Sequence, residues 1–250
     1  MKRLEGNVTI ITGGGKGIGF GMATAFAREG SNLVLTGRNM ERLQQAQQKL
    51  ESEWGVKVLP IVADGSDENA VKMVVAKTAE TFGKIDTLIN NAQVSKSGLP
   101  LIQHTREDLD MAVLSGIYAT FFYMRECFPY LKESGGSVIN FASGAGLYGK
   151  PGQSSYAAAK EGIRGLSRVA ATEWGPDGVR VNVSRQHSEA SADESLPTRQ
   201  GDRSGRKPRR DGKYPTRNRE TTPQGSWPQG SAPLQYSRYR CYRYTQDPSA

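Results

Sequence analysis

Six short segments rich in β-forming residues alternate with longer amphipathic stretches along the first part of the chain. The short segments span 8–12, 32–36, 56–62, 87–89, 137–141 and 179–183. The stretches with helical spacing span 20–28, 40–54, 68–82 and 109–131. Strands that alternate with helices predict a parallel sheet covered on both faces, because each parallel connection must cross over the sheet. The predicted fold class is α/β, with a doubly wound parallel sheet of six strands.

A glycine-rich turn follows the first strand. It reads Thr12-Gly-Gly-Gly-Lys-Gly-Ile-Gly19 and leads directly into the first helical stretch. A strand, a glycine turn and a helix in this order are typical of a Rossmann-type dinucleotide site, because glycines let the backbone approach the pyrophosphate and the helix N-terminus attracts its charge. The predicted cofactor contacts in this turn are Thr12, Gly13, Lys16, Gly17, Ile18 and Gly19.

The end of the second strand indicates which nicotinamide cofactor is bound. In dinucleotide folds an acidic residue near this point hydrogen-bonds the ribose 2′-hydroxyl of NAD. This chain has Gly37 followed by Arg38, and the Lys16 ammonium is available from the glycine turn. Such cations suit a 2′-phosphate, so we predict NADP rather than NAD. The alternative is that Arg38 only stacks or is solvated.

A second group of polar residues follows the fifth strand. Ser143 stands at the end of that strand, and Tyr156 and Lys160 lie four residues apart in the next stretch, on one face of a helix. A tyrosine with a pKa near ~10 needs a nearby ammonium to act as a base at neutral pH. Tyr-x-x-x-Lys also occurs on solvated helix faces. The serine and the glycine turn favour a catalytic site at the cofactor crevice, with Ser143, Tyr156 and Lys160 as its catalytic residues.

The spacing Gly13-x-x-x-Gly17-x-Gly19 after a threonine, with the serine and the Tyr-Lys pair, resembles the short-chain dehydrogenase/reductase family. The resemblance implies that Asp64 lies beside the adenine and that Asn90 supports the sheet and the cofactor ribose. It also implies that Tyr156 exchanges the substrate proton and that Ser143 hydrogen-bonds the substrate oxygen. Lys160 is then expected to lower the pKa of the tyrosine and, with it, to contact the cofactor.

Two positions depart from the general pattern of this family. Gln93 stands where the usual Asn-Asn-Ala-Gly has its glycine. Gly116, beside Ser115, stands where relatives carry an Asn that completes a water-mediated proton relay to the Lys. The segments 115–122, 140–146 and 155–174 look like bacterial NADP-dependent 12α-hydroxysteroid dehydrogenases. In that branch, the resemblance implies, Gln93 and Gly116 are expected residues.

The resemblance implies an enzyme that transfers hydride between NADP and a secondary alcohol or ketone. The leading substrate is the 12α-hydroxyl of a steroid (bile-acid) nucleus, which would place the protein in steroid and lipid metabolism. Two alternatives stay open: a reductase of 3-oxoacyl thioesters or other small ketones, and a nucleotide-binding protein without turnover. No metal is expected, because His104 and His187 lack further ligands at zinc spacing and are predicted at the surface. A homo-oligomer is implied if the family's last strand is present.

Residues 185–250 break the pattern. They contain no Ile, Val, Met or Phe and hold 7 of the 12 prolines. They carry 13 Lys and Arg against 7 Asp and Glu, whereas the whole chain carries 33 against 25, so this segment supplies six of the eight net positive charges. Such a composition buries too little apolar surface to offset its ordering entropy, which predicts a disordered tail. The catalytic domain is therefore predicted to span 1–184.

Three interpretations of the tail remain. A shifted reading frame beginning near 183–184 explains the abrupt loss of the family pattern, including the threonine expected at the nicotinamide and the last helix and strand. A plain disordered extension explains the composition. A nucleic-acid-binding tail would use the arginines and tyrosines of 235–244 for phosphate pairing and base stacking, and is the least favoured.

The cellular setting is predicted from apolar runs and cysteines. No apolar run approaches the ~20 residues of a membrane span, and no apolar signal segment precedes the first strand. The two cysteines, Cys127 and Cys241, give no disulfide framework. A cytoplasmic location is predicted, with Cys127 packed as a small hydrophobic residue inside a helix.

Overall fold

The computed structural model describes residues 2–186, and the surroundings of side chains as far as residue 184. The predictions made for the tail, for His187 and for Cys241 lie outside these residues. The division of the chain at residue 184 and the three interpretations of the tail stay predictions.

Six parallel strands form one sheet in the described part of the chain. Their bounds are β1 Val8–Thr12, β2 Asn32–Gly37, β3 Val58–Val62, β4 Thr87–Asn90, β5 Ser137–Ser143 and β6 Arg180–Gln186. The strand order is β3-β2-β1-β4-β5-β6, so the direction of winding reverses between β1 and β4. This is the order of doubly wound dinucleotide-binding folds. The predicted α/β class and Rossmann-type sheet are confirmed.

Seven α-helices connect the strands within residues 2–186. They are α1 Gly17–Arg28, α2 Met40–Trp54, α3 Glu68–Phe82, α4 Arg106–Ala112, α5 Ala119–Ser134, α6 Gly144–Tyr148 and α7 Ser154–Trp174. The core lies on both faces of the sheet, since successive strand residues point to opposite sides. Ile10 packs into the cluster that includes residues of α3 and α5, and Ile11 into the cluster that includes residues of α1 and α2. Helical cover on both sides explains why all of β1 is buried.

Several strand ends differ from the sequence prediction. The fifth strand runs from Ser137 to Ser143, so the serine predicted at its end is its last residue, and the sixth strand, predicted to begin with 179–183, runs on to Gln186. The last residues of the two strands pair, Ser143 opposite Gln186, which explains why the sixth strand continues beyond residue 183. The sheet therefore includes two residues beyond the predicted domain boundary.

The helical stretch predicted over 109–131 is interrupted. A π-helical segment, Val113–Tyr118, separates α4 from α5. The Ser115 hydroxyl lies 2.6 Å from the carbonyl oxygen of Met111, four residues earlier, and such a contact competes with regular helical bonding and bends helices. Farther along, Cys127 is fully buried in the core, as predicted.

Two features concern the membrane and metal predictions. None of the helices in residues 2–186 is long and apolar enough to cross a membrane. The same part of the chain contains no group of three or more His, Cys, Asp or Glu that could hold a metal ion. His104, which was predicted at the surface, is half-buried, and both of its ring nitrogens are buried without a hydrogen-bond partner among the described residues.

Candidate active site

The ends of β1 and β4 are tied together at the point where the strand order reverses. The Thr12 hydroxyl accepts hydrogen bonds from the backbone N–H groups of Asn91, at 2.9 Å, and Ala92, at 3.0 Å. In return, the Asn91 side-chain amide donates to the Thr12 carbonyl oxygen at 3.0 Å. These bonds shape the crevice in which such sheets bind ligands. A direct contact of Thr12 with a cofactor stays a prediction, because its hydroxyl already has two backbone donors.

The glycine turn has a geometry that side chains would disrupt. Gly13 and Gly17 have φ angles of 68° and 53°, a left-handed conformation that favours glycine. A Cβ atom at Gly19 would overlap the carbonyl oxygen of Gly13 and lie 2.8 Å from the Asn91 side-chain amide. The glycines therefore allow the turn to fold back against the end of β4.

The residues at the start of α1 fit a dinucleotide phosphate. Lys16, at the N-cap, makes no side-chain capping bond within the described chain, and the first turn of α1 contains no acidic residue. The space where a Gly17 Cβ would project is open, and Ile18 is 55% exposed. Free N–H groups and the positive end of the helix dipole thus face open space, which suits an anion.

The ends of β2 and β3 bring a cation near a carboxylate. Two hydrogen bonds from Ser66, from its backbone N–H at 3.0 Å and its hydroxyl at 2.7 Å, hold the pKa of Asp64 below its usual value. The positive charge of Arg38 adds a smaller lowering of this pKa, so the two side chains are within electrostatic range. Arg38 itself is exposed.

The predicted catalytic residues lie at the end of β5 and on α7. The Ser143 hydroxyl caps α6 and accepts from the Ala145 N–H at 3.1 Å, so its own proton is available to a substrate oxygen. On α7, the Lys160 ammonium nitrogen lies 5.5 Å from the centroid of the Tyr156 ring. Lys160 is only 3% exposed, and burial lowers its pKa to about 8. The structure therefore brings the tyrosine and the lysine together.

A buried chain of polar side chains holds α7 against the sheet. The Asn90 amide donates to the side-chain oxygen of Asn140 at 2.9 Å, and the Asn140 amide donates to the Ser167 hydroxyl at 2.8 Å. Ser167 is two turns along α7 from Lys160, on the same face. Sequence reasoning missed Asn140 and Ser167, although a polar residue within a buried strand was a usable signal for the first. With its amide engaged in this chain, the cofactor contact of Asn90 stays a prediction.

Residues 7–185 match the family model described as short chain dehydrogenase. The chain belongs to this family. It is an oxidoreductase of a kind that uses a nicotinamide cofactor.

Three known proteins are similar to this short-chain dehydrogenase. It is 61% identical over 189 residues to the 12α-hydroxysteroid dehydrogenase of Clostridium sp. (strain ATCC 29733 / VPI C48-50), and the aligned region covers 73% of each chain. It is 36% identical over 197 residues to the 3-oxoacyl-[acyl-carrier-protein] reductase FabG of Thermotoga maritima, covering 78% of this chain and 79% of the relative. A crystal structure of NAD+-bound xylitol dehydrogenase superposes with a TM-score of 0.70 and 31% identity, over 73% of this chain and 70% of that one.

Replacing Gly19 by alanine is expected to abolish nucleotide binding, because the new methyl group overlaps the Gly13 carbonyl oxygen and forces the turn open. Gly21→Ala is the matched control, two residues along the same helix, since a Cβ there meets nothing within 4 Å. The control should gain about 0.5–1 kcal/mol of stability from helix propensity. Fluorescence titration with NADPH measures the nucleotide affinity of each variant, and urea unfolding measures its stability. Equal nucleotide affinity in the two variants would contradict the assigned turn geometry.

Replacing Lys160 by methionine is expected to stabilise the protein at pH 7 by on the order of 2–3 kcal/mol while removing turnover. The folded-state pKa of about 8 lies below that of a free lysine, so the wild type carries the penalty of a buried charge below pH 8. That penalty is relieved as the pH rises toward ~10, so the difference should shrink there. Urea unfolding at several pH values measures it, with Lys77→Met, on the exposed side of α3, as control. A difference independent of pH would refute the burial penalty.

Proposed function

We propose that this short-chain dehydrogenase transfers hydride between NADP and a secondary alcohol or ketone, with the 12α-hydroxyl of a steroid as its substrate. The observation that carries the proposal is the Lys160 ammonium, 5.5 Å from the Tyr156 ring, on the helix that follows the strand-end Ser143. A buried cation beside a phenol is the arrangement that proton exchange with an alcohol requires.

In the proposed mechanism, the three side chains transfer a proton and bind the substrate oxygen. Tyr156 takes the proton of the alcohol during oxidation and returns it to the oxygen during reduction. The Lys160 ammonium lies beside the Tyr156 ring, where it stabilises negative charge that develops on the phenol oxygen during proton exchange. Ser143 donates its free hydroxyl proton to the substrate oxygen. The bound nicotinamide supplies or accepts the hydride.

The proposal of NADP rests on the charges around the adenosine end of the crevice. Arg38 follows the glycine at the end of β2, where an acidic residue would select NAD, and Lys16 occupies the N-cap position of α1 in the glycine turn. The xylitol dehydrogenase of similar fold binds NAD+, so the choice depends on these residues rather than on the fold. Arg38 also lies within electrostatic range of Asp64, the carboxylate after β3.

The steroid is proposed from the degree of similarity. The relative that acts on a 12α-hydroxysteroid shares 61% of aligned residues, against 36% for the 3-oxoacyl reductase. Because the second relative is a 3-oxoacyl reductase, 3-oxoacyl thioesters and other small ketones are the alternative substrates. Assembly into a homo-oligomer and a cytoplasmic setting remain predictions.

Incubating the full chain with NADP and cholate at neutral pH, where Lys160 keeps its charge, is expected to produce NADPH, which is detected by its absorbance. Tyr156→Phe should reduce turnover by roughly 10²–10⁴-fold, because it removes the acid–base hydroxyl. Tyr130→Phe, near the far end of α5, is the control and should keep wild-type turnover. Turnover of 3-oxoacyl thioesters alone would move the substrate to the alternative class. Nucleotide binding without turnover on any alcohol or ketone would overturn the enzymatic proposal.

Replacing Arg38 by alanine is expected to weaken NADPH binding by about tenfold or more and to leave NADH binding nearly unchanged. The lost interaction is a charge-assisted hydrogen bond to the 2′-phosphate, worth about 1.5–3 kcal/mol. Dissociation constants for both nucleotides, measured by fluorescence titration at one ionic strength, test this. Arg168→Ala, exposed on α7, controls for loss of net charge. An equal loss of affinity for both nucleotides would assign Arg38 to a general contact instead.

A further inference from the structure

The side chain of Gln93 lies against Gly116. A Cβ atom at position 116 would stand 3.0 Å from Nε2 of Gln93 and 3.1 Å from its Cδ. Any larger residue at position 116 would therefore have to displace this amide. Gly116 is buried in the π-helical segment, and its missing side chain provides the space that Gln93 fills.

The Ser115 side chain connects the segment that contains Gln93 to the segment that contains Gly116. The Ser115 hydroxyl accepts from the Val94 N–H at 3.0 Å and lies 2.9 Å from the Val94 carbonyl oxygen, to which it can donate. Val94 directly follows Gln93, and Ser115 directly precedes Gly116. The Ser115 hydroxyl thus ties the backbone next to Gln93 to the helical segment next to Gly116.

The amide of Gln93 is built into the protein without a partner. Both Nε2 and Oε1 are buried, and neither has a hydrogen-bond partner in the described part of the chain. A buried polar group left unpaired costs about 1–3 kcal/mol. An amide presents donors on one atom and an acceptor on the other, which is what an ordered water needs to be held in place.

The same pocket adjoins the turn of α7 that carries Lys160. The point where a Cβ of residue 116 would stand is 3.4 Å from the Cβ of Ala159, the residue before Lys160. Lys160 is buried, and proton exchange at a buried ammonium needs a hydrogen-bonded path to solvent. The unpaired amide of Gln93 and the turn of α7 that carries Lys160 therefore meet at Gly116.

We propose that Gln93 is a positioning residue, whose amide, seated over Gly116, holds an ordered water that connects Lys160 to solvent. This inference deepens the proposed function and rests on it, because a path for protons to Lys160 is used only if the protein exchanges a proton with its substrate. Here the amide comes from the end of β4, and the helix supplies only the space.

Exchanging the two positions tests the proposal on the full chain. Gln93→Gly is expected to lower kcat at least tenfold, with KM nearly unchanged, because the amide is lost. Gly116→Asn alone should also impair the protein, since its side chain is forced against the Gln93 amide. The double variant supplies an amide from the helix and removes the clash, so it should recover kcat to within a few-fold of wild type. Losses that simply add in the double variant would overturn the proposal.

Gln93→Met separates positioning from packing. Methionine fills nearly the same volume without polar atoms, so a packing role predicts wild-type behaviour. A positioning role predicts that the pKa of Lys160 falls by about half a pH unit or more, because hydrogen bonds to the charged form are lost. The pKa is read from the Cε resonance in protein labelled with 13C-lysine, assigned by its absence in Lys160→Met.

The titration also distinguishes a failure of this proposal from a failure of the proposed function. If the wild type turns over no alcohol or ketone, the enzymatic proposal fails, but the Lys160 titration can still be measured. A pKa of Lys160 that is unchanged in Gln93→Met overturns the role of Gln93, whatever the turnover. A lowered pKa supports it.

Discussion

The Thr12 hydroxyl holds the two strand ends between which the strand order reverses, and the other parts of the site take their positions from this contact. Its two backbone donors, Asn91 and Ala92, begin the loop after β4. Asn91 lies against the glycine turn, where only a residue without a side chain fits at Gly19. Ala92 leads directly to Gln93 and so to the pocket over Gly116. A single buried hydroxyl therefore sets the register of both the nucleotide turn and the segment beside Lys160.

The catalytic helix is oriented by a different contact, a chain of buried amides and a hydroxyl. Asn140 accepts from Asn90 and donates to Ser167, so β4, β5 and α7 share one hydrogen-bonded path. Buried polar groups of this kind are costly when unpaired and restrictive when paired, because each donor must meet its acceptor. Hydrophobic packing alone would let α7 slide or rotate by a fraction of a turn. The polar chain restricts such movement and so fixes where Lys160 enters the crevice.

The features that sequence reasoning recovered are those encoded locally. A glycine turn between a strand and a helix, and a tyrosine four residues before a lysine, are each complete within a few positions. The contact of Gln93 with Gly116 joins residues far apart in sequence, and its geometry depends on the Ser115 hydroxyl and on the π-helical segment. Periodicity carries no information about such pairs. For the same reason the burial of the His104 ring nitrogens was missed, since the burial of atoms in a loop depends on the residues that pack against it.

The burial of Lys160 affects both the stability of the protein and its proposed proton chemistry. An ammonium in water has little effect on a neighbouring phenol, whereas a desolvated one acts through a low dielectric and acts strongly. The same desolvation lowers its pKa to about 8. Lys160 therefore loses its charge at a lower pH than a free lysine does. A group that solvates the ammonium selectively raises the fraction of the protein in which Lys160 is charged. The Gln93 amide is buried without another partner in residues 2–186 and meets the turn of α7 that carries Lys160 at Gly116, and in the proposal it supplies that solvation through a bound water.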